Sequence, residues 1–352
     1  MHGKRGRRAV VAALGVAALV ALTGCGAGGE PPTDAQGRET VKVRTDIYYS
    51  GAVLPLVAGV ETGIFERHGL RVELNEGKDS GTTIQTVGNG SDDIGYVDAG
   101  SLVQSTAQGV DVKMVAGMVQ QSPLALYAFA DSGIRSPQDL VGRTAGFTPG
   151  SAAERIFPAY ANATGIDEKT IRFRNVDIPT RTELFVARQT DFTFGLLNTS
   201  GPNIEAKCKC KPVVLPYRDA GISMLSSGIV AGTDFVEERP ETLKRFLAAL
   251  VEAVNHTNAD TPAAVDAFYR FAPTSKVPRP VLAEQWRISN GLQRTPANSG
   301  QPFGCMAAQD WASTIALTEQ YGGVDKGRVA VADVADNRFL PGPCRDDLGT
   351  RS

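Results

Sequence analysis

The residues best placed to do chemistry lie in one run, Ser136-Pro-Gln-Asp-Leu-Val-Gly-Arg-Thr-Ala-Gly-Phe-Thr-Pro-Gly-Ser151. Arg143 to Phe147 ends in an apolar residue and is bounded by Gly142 and by Pro149-Gly150, which predicts a buried strand. Ser151-Ala-Ala-Glu154 has the S-x-x-E spacing of a capping box, so a helix starts directly after the turn. Backbone N–H groups at such a positive helix end suit an anion or a strong hydrogen-bond acceptor. In many strand–helix junctions the same box serves only its own helix. Pro158, about two turns in, predicts a kinked or shortened helix.

Other candidates are fewer. Val41 to Ile47 alternates apolar and polar residues, a first strand, and Tyr48 and Tyr49 end it. Neighbours on a strand point to opposite faces, so one tyrosine of the pair can reach a cleft. There its ring would stack on a flat heterocycle and its hydroxyl would hydrogen-bond; otherwise it is a core or interface tyrosine. Asp98, ahead of Ala99-Gly100-Ser101, either binds an amine or caps the next helix, the commoner use. Arg181 either pairs with an anionic ligand or, more commonly, lies on a solvated helix face. No G-x-S-x-G, P-loop, H-E-x-x-H or Rossmann spacing is present, and Ser151 has no base evident in the sequence. These absences argue against an enzyme and against a metal or other cofactor.

The elements that must position these residues begin with an export signal. Lys4, Arg5, Arg7 and Arg8 precede an apolar run from Ala9 to Leu22, too short to span a bilayer stably. Arg7-Arg8 hints at twin-arginine export, but the residues after the pair match that signal poorly, which favours the general route. The run ends in Leu22-Thr23-Gly24-Cys25, which resembles the bacterial lipobox, whose cysteine sulfur takes the lipid. Residues 1–24 are thus expected to be a lipoprotein signal peptide. Residues 25–40, rich in Gly and Pro, are expected to be a lipidated flexible tether on the extracytoplasmic side of the membrane. Cleavage ahead of Cys25 leaves 328 residues, enough for two lobes, and moves the formal charge from −2 to −6. A mildly acidic chain argues against nucleic acid as a partner. Pro240 to Val254 is the clearest helix, with Leu243, Phe246, Leu247, Leu250 and Val254 on one face and Pro240 at its first position.

Several segments carry a family resemblance. Gly63-Ile-Phe-Glu-Arg-His-Gly-Leu70, then Arg-Val-Glu-Leu74, resembles the "G-(Y/F)-F-(basic)-x-x-G-L-x-V-E" segment of SsuA/THI5-like solute-binding proteins. Val87-Gly-Asn-Gly-Ser-Asp-Asp-Ile-Gly95 is similar to their "x-x-G-x-x-D-x-G", and Ile134 to Gly146 to their "I-x-(S/T)-x-x-D-L-x-G-K-x-(V/I)-(G/A)". Near Asp191-Phe-Thr-Phe-Gly195 the family's usual "D-A" is replaced. The likeness covers roughly residues 41–255. It implies a two-lobed α/β fold of the type II periplasmic-binding-protein kind, each lobe a mostly parallel sheet flanked by helices, with a ligand cleft between them. Lobe 1 is expected from residues 41–128 and 225–352, and lobe 2 from 129–224. By position in the family pattern, Tyr49, Thr82, Ser101, Gln121, Thr148, Ser151 and Asn198 face the ligand.

The resemblance further implies a monomeric, lipid-anchored component of an ABC importer. It would pass a small ligand to permease and ATPase subunits. The ligand is either a sulfonate- or nitrate-type anion or a thiamine-pyrimidine- or riboflavin-type heterocycle. A ligand sensor docking on a membrane receptor would share every one of these features. A related pyrimidine synthase has the same core but carries a C-C-C-F-C motif that Cys208-Lys-Cys210-Lys does not match. With Cys25 lipidated, Cys208, Cys210, Cys305 and Cys344 remain, an even number that predicts disulfides in an exported chain. Pairing 305 with 344 and 208 with 210, or cross-pairing the two sets, are all compatible with the sequence.

Overall fold

The computed structural model describes residues 33–349; the export-signal segment, Cys25 and the start of the tether lie outside them. The strands are β1 (Glu39–Arg44), β2 (Leu70–Asn75), β3 (Ile94–Asp98), β4 (Val112–Val119), β5 (Leu124–Ala128), β6 (Thr144–Phe147), β7 (Arg172–Asn175), β8 (Phe192–Leu196), β9 (Val213–Pro216) and β10 (Ser227–Gly232). They form two five-stranded sheets, ordered β2-β1-β3-β10-β4 and β7-β6-β8-β5-β9. In the first, β1 is parallel to β2 and β3, and β10 runs antiparallel between β3 and β4. The second repeats the plan: β6 is parallel to β7 and β8, and β5 runs antiparallel between β8 and β9.

The antiparallel strand in each sheet is the one that has just crossed from the other lobe. A strand entering this way needs no helical crossover to pair, which parallel strands require. Residues 124–128 were expected in lobe 1, yet β5 pairs with β8 and β9, so the first crossing falls at residues 120–123. The apolar run Leu124–Ala128 is fully buried and reads alike in either sheet, which hides the boundary from the sequence.

Helices α1 (Leu54–Glu61), α2 (Ile64–Arg67), α3 (Ser80–Gly88) and α4 (Ala99–Ala107) cover the first sheet. The helical stretch is broken between α1 and α2, where Gly63 adopts φ 70°, a left-handed conformation that glycine takes without strain. Helices α5 (Ala152–Thr164), α6 (Ile178–Val186) and α7 (Ser200–Cys208) belong to the second lobe. Helix α5 runs on through Pro158 rather than stopping short.

After β10 come α8 (Thr233–Glu238), α9 (Pro240–Ala259), α10 (Thr261–Phe271), α11 (Arg279–Gly291), α12 (Ala308–Tyr321) and α13 (Val331–Val334). The apolar stripe of α9 is buried in the first-lobe core with Leu54, Phe65 and Phe268. The C-terminal helices do more than wrap that lobe. Helix α12 sends Trp311 and Ile315 into the first lobe, while Leu317 and Tyr321 pack on the second.

The tether ends earlier than expected. Thr33 bridges to Glu39, Asp34 and Arg38 share a turn, and β1 starts at Glu39. The strand also ends at Arg44 rather than Ile47. The cysteines pair as Cys208–Cys210 and Cys305–Cys344, which removes the cross-paired alternative.

Candidate ligand-binding cleft

The carboxyl ends of β1 and β3 face those of β6 and β8 across a cavity of about 670 Å³. Strand ends of this kind are where ligands of open α/β sheets bind, and the volume suits a small organic molecule. The first-lobe wall holds Asp46, Ile47 and Tyr48 after β1, the Asp79–Gly81 turn, and Asp98 and Ser101. Opposite stand Thr148 to Ser151, Arg155, Arg181 and the start of α7 at Thr199 and Ser200. The two crossings supply the base, through Ser122, Pro123, Leu124 and Met224 to Ser227.

On the first-lobe wall two helix N-termini are closed by their own acids. Asp79 accepts from the Thr82 N–H at 2.7 Å, capping α3. Asp98 accepts from the Ser101 N–H at 2.9 Å and the Ser101 hydroxyl at 3.0 Å, capping α4. The positive ends of both helices are thus met by carboxylates before any ligand arrives. Asp46 opens to the cleft but is otherwise enclosed by protein. Burial, reinforced by the nearby Asp98 charge and opposed by the Ile47 N–H, pushes its carboxyl up to about 7.

The second-lobe wall is built differently. Ser151 makes no side-chain cap bond to α5, and Glu154 turns inward. Its Oε1 accepts from the Thr148 N–H at 3.1 Å and from the Arg181 guanidinium. The expected capping box therefore does not form, because a buried guanidinium outcompetes a backbone N–H for the carboxylate. A box forms instead at the start of the run, between Ser136 and Asp139. Burial pushes the Glu154 carboxyl up against the pull of Arg181. Gly146 on β6 makes room for this arginine: a Cβ there would lie 2.9 Å from Arg181 Cγ.

Arg155 crosses the cleft. Its Nη2 donates to Asp98 at 3.0 Å and its Nη1 to Gln104 Oε1 at 2.9 Å, tying α5 to α4. Three buried polar atoms at this wall, Thr148 Oγ1, Arg155 Nε and Arg181 Nε, have no hydrogen-bond partner among the described residues.

Of the residues expected to face ligand, Ser101, Thr148 and Ser151 line the cleft. Thr82 does not; its neighbours Ser80 and Gly81 do. Tyr49 points away, its hydroxyl donating to the Leu74 carbonyl at 2.8 Å and its ring edge-on to Phe271. Tyr48 takes its place, 46% exposed. Gln121 donates to the Arg294 carbonyl on the far side, and Asn198 is buried against Ser289 at 3.0 Å. Arg181, expected on a solvated face, is 4% exposed. Asp46 and Arg155 were not singled out; an acid at the carboxyl end of an apolar parallel strand is the signal that could have found Asp46. Among the described residues, no group of three or more His, Cys, Asp or Glu side chains is placed to hold a metal, and no helix is long and apolar enough to cross a membrane.

Two lobes, two crossings and a cleft between them define a periplasmic-binding-protein fold. The sequence pattern of the NMT1/THI5-like family matches residues 51–264, and the chain belongs to that family. The formylaminopyrimidine-binding protein of Halalkalibacterium halodurans is 23% identical over 300 residues, 85% of this chain and 90% of that one. The 4-amino-5-hydroxymethyl-2-methylpyrimidine phosphate synthase of Legionella pneumophila is 24% identical over 302 residues, 84% of this chain and 90% of its own length. In three dimensions the chain resembles the periplasmic aliphatic sulphonate binding protein SsuA of Escherichia coli. The TM-score is 0.65 at 16% identity, covering 82% of this chain and 94% of that protein.

Proposed function

We propose that the protein is the extracytoplasmic solute-binding component of an ABC importer, lipid-anchored through Cys25, and that it captures a flat heterocycle bearing amino or ring N–H donors. One observation carries the ligand class: the cleft's carboxylates outnumber its cations, and both cations are engaged. Asp46, Asp79 and Asp98 line it, whereas Arg155 is held by Asp98 and Arg181 by Glu154. On the first-lobe wall a free sulfonate would meet helix ends already occupied by carboxylates, a repulsive arrangement in an enclosed site. Amino groups instead find acceptors at Asp46 and Asp98, and Tyr48 with Ile47, Leu124 and Leu196 offers apolar surface for a ring. The name of the formylaminopyrimidine-binding relative supports this choice.

The name of the Legionella relative supports a second reading, a synthase. Against it, Cys208 and Cys210 are joined to each other, and no histidine or cysteine lines the cleft among the described residues. Binding and release by lobe movement need no chemistry.

A thermal-shift and calorimetric panel tests the reading on residues 33–352. Formylaminopyrimidine, hydroxymethylpyrimidine, thiamine and riboflavin would be set against taurine, alkanesulfonates and nitrate. A true ligand at 100 times its Kd stabilises the fold by about 2.7 kcal/mol. Binding by the heterocycles alone is expected; tighter binding of a sulfonate would overturn the assignment.

A further inference from the structure

We propose that the loop Lys207-Cys208-Lys209-Cys210-Lys211 is a thiol–disulfide exchange site for low-molecular-weight thiols. The two bridges of this protein are unlike. Cys305–Cys344 joins residues 39 apart, and Cys305 is buried in the first-lobe core at 1% exposure. Cys208–Cys210 encloses a single residue and lies half-buried at the carboxyl end of α7. Loop-closure stabilisation grows with the length enclosed, so the short bridge contributes least to holding the fold.

The enclosed residue is also strained. Lys209 is held at φ 52°, ψ 38°, the left-handed region that side-chain-bearing residues rarely occupy. Opening the bridge releases that constraint, which makes reduction easier. Access and charge point the same way. Cys210, with Lys209 and Lys211, lines an open depression of about 440 Å³ against Pro280 and Glu284. Lys207 and Lys211 pair with Glu183 and Glu205, while Lys209 makes no ion pair among the described residues. An ammonium beside the sulfurs attracts an incoming thiolate and stabilises the departing one.

The exchange balances without any further reagent. A thiolate attacks Cys210 Sγ, the Sγ–Sγ bond breaks, and Cys208 leaves as a thiolate that takes a proton from water. A second thiol attacks the outer sulfur of the mixed disulfide. This frees Cys210 and releases the oxidised small-molecule disulfide, so two thiols supply the two electrons that reduce the bridge.

The test uses the folded chain in a graded series of reduced-to-oxidised glutathione ratios, with acid quenching, maleimide labelling and peptide mapping, and circular dichroism to confirm the fold. Cys208 and Cys210 should be labelled at a ratio at least about tenfold less reducing than Cys305 and Cys344 require. Cys208→Ser should leave Cys210 as a stable glutathione adduct. Lys209→Gly, which removes both strain and charge, should shift opening several-fold toward more reducing ratios. Both bridges opening together, opening of the short bridge only on unfolding, or an unshifted Lys209→Gly variant would overturn the proposal.

Discussion

The two walls of the cleft are made from the same part, the N-terminal end of a helix, and differ in how its positive end is used. In the first lobe Asp79 and Asp98 cap α3 and α4 directly. In the second, Ser151 leaves α5 without a side-chain cap, and the nearby acid, Glu154, is spent on a buried arginine instead. The sequence signatures suggest caps on both walls, at Asp98 and at the S-x-x-E spacing of Ser151, and only the first of these forms. A capping motif states what a helix end can accept; the tertiary partner decides what it does accept. The consequence is an asymmetric cleft, with local carboxylates on one face and a carboxylate–guanidinium pair behind the other.

The comparison can be broken hardest at Arg181. Arg181→Met leaves Glu154 buried without its cation and should cost about 3–5 kcal/mol in chemical denaturation, with Glu154→Leu in the same chain recovering most of it. If the single variant is near neutral, the second-lobe wall is not organised by this pair. Next come the first-lobe caps: Asp79→Ala and Asp98→Ala should each cost roughly 0.5–2 kcal/mol, measured the same way. Asp98→Ala should also free Arg155 and raise affinity for alkanesulfonates in calorimetry.

Asp46 gives a pH signature. Its folded value of about 7 lies above the ordinary carboxylate range, so the folded state holds a proton the unfolded chain has lost. The penalty is absent below about pH 4, grows as the pH rises and is complete above about pH 7. Asp46→Asn should therefore raise the Tm at about pH 8 and leave it unchanged at about pH 4. The smallest effect is predicted for Ser151→Ala, within about 0.5 kcal/mol, because its hydroxyl caps nothing. A loss as large as that of the aspartates would erase the distinction between the walls.

Much of the fold was legible because its signals are local. The Pro240 helix starts where its pattern places it, since the period and the proline at its first position suffice, and it runs five residues beyond the expected Val254 to Ala259. The lining of the cleft was legible where a residue sits at a helix start, as with Ser101 and Ser151, or at a strand end, as with Thr148. It failed where the answer depends on distant chain. Gln121 and Asn198 are held by Arg294 and Ser289, partners 173 and 91 residues away that no local spacing reveals. The choice between Tyr48 and Tyr49 was lost because β1 stops at Arg44, so strand alternation no longer governs the residues after the turn at Asp46.

Helix α12 imposes a mechanical condition on whatever the cleft does. Ile315 is set in the first-lobe core and Leu317, two positions on, packs against the core of the second, and Thr314 accepts a hydrogen bond from Leu225 on the returning crossing at 2.9 Å. One rod is thus anchored to both halves and to the segment joining them. Packed helices slide only slightly before contacts are lost, so any separation of the lobes would have to turn about this rod rather than shear past it.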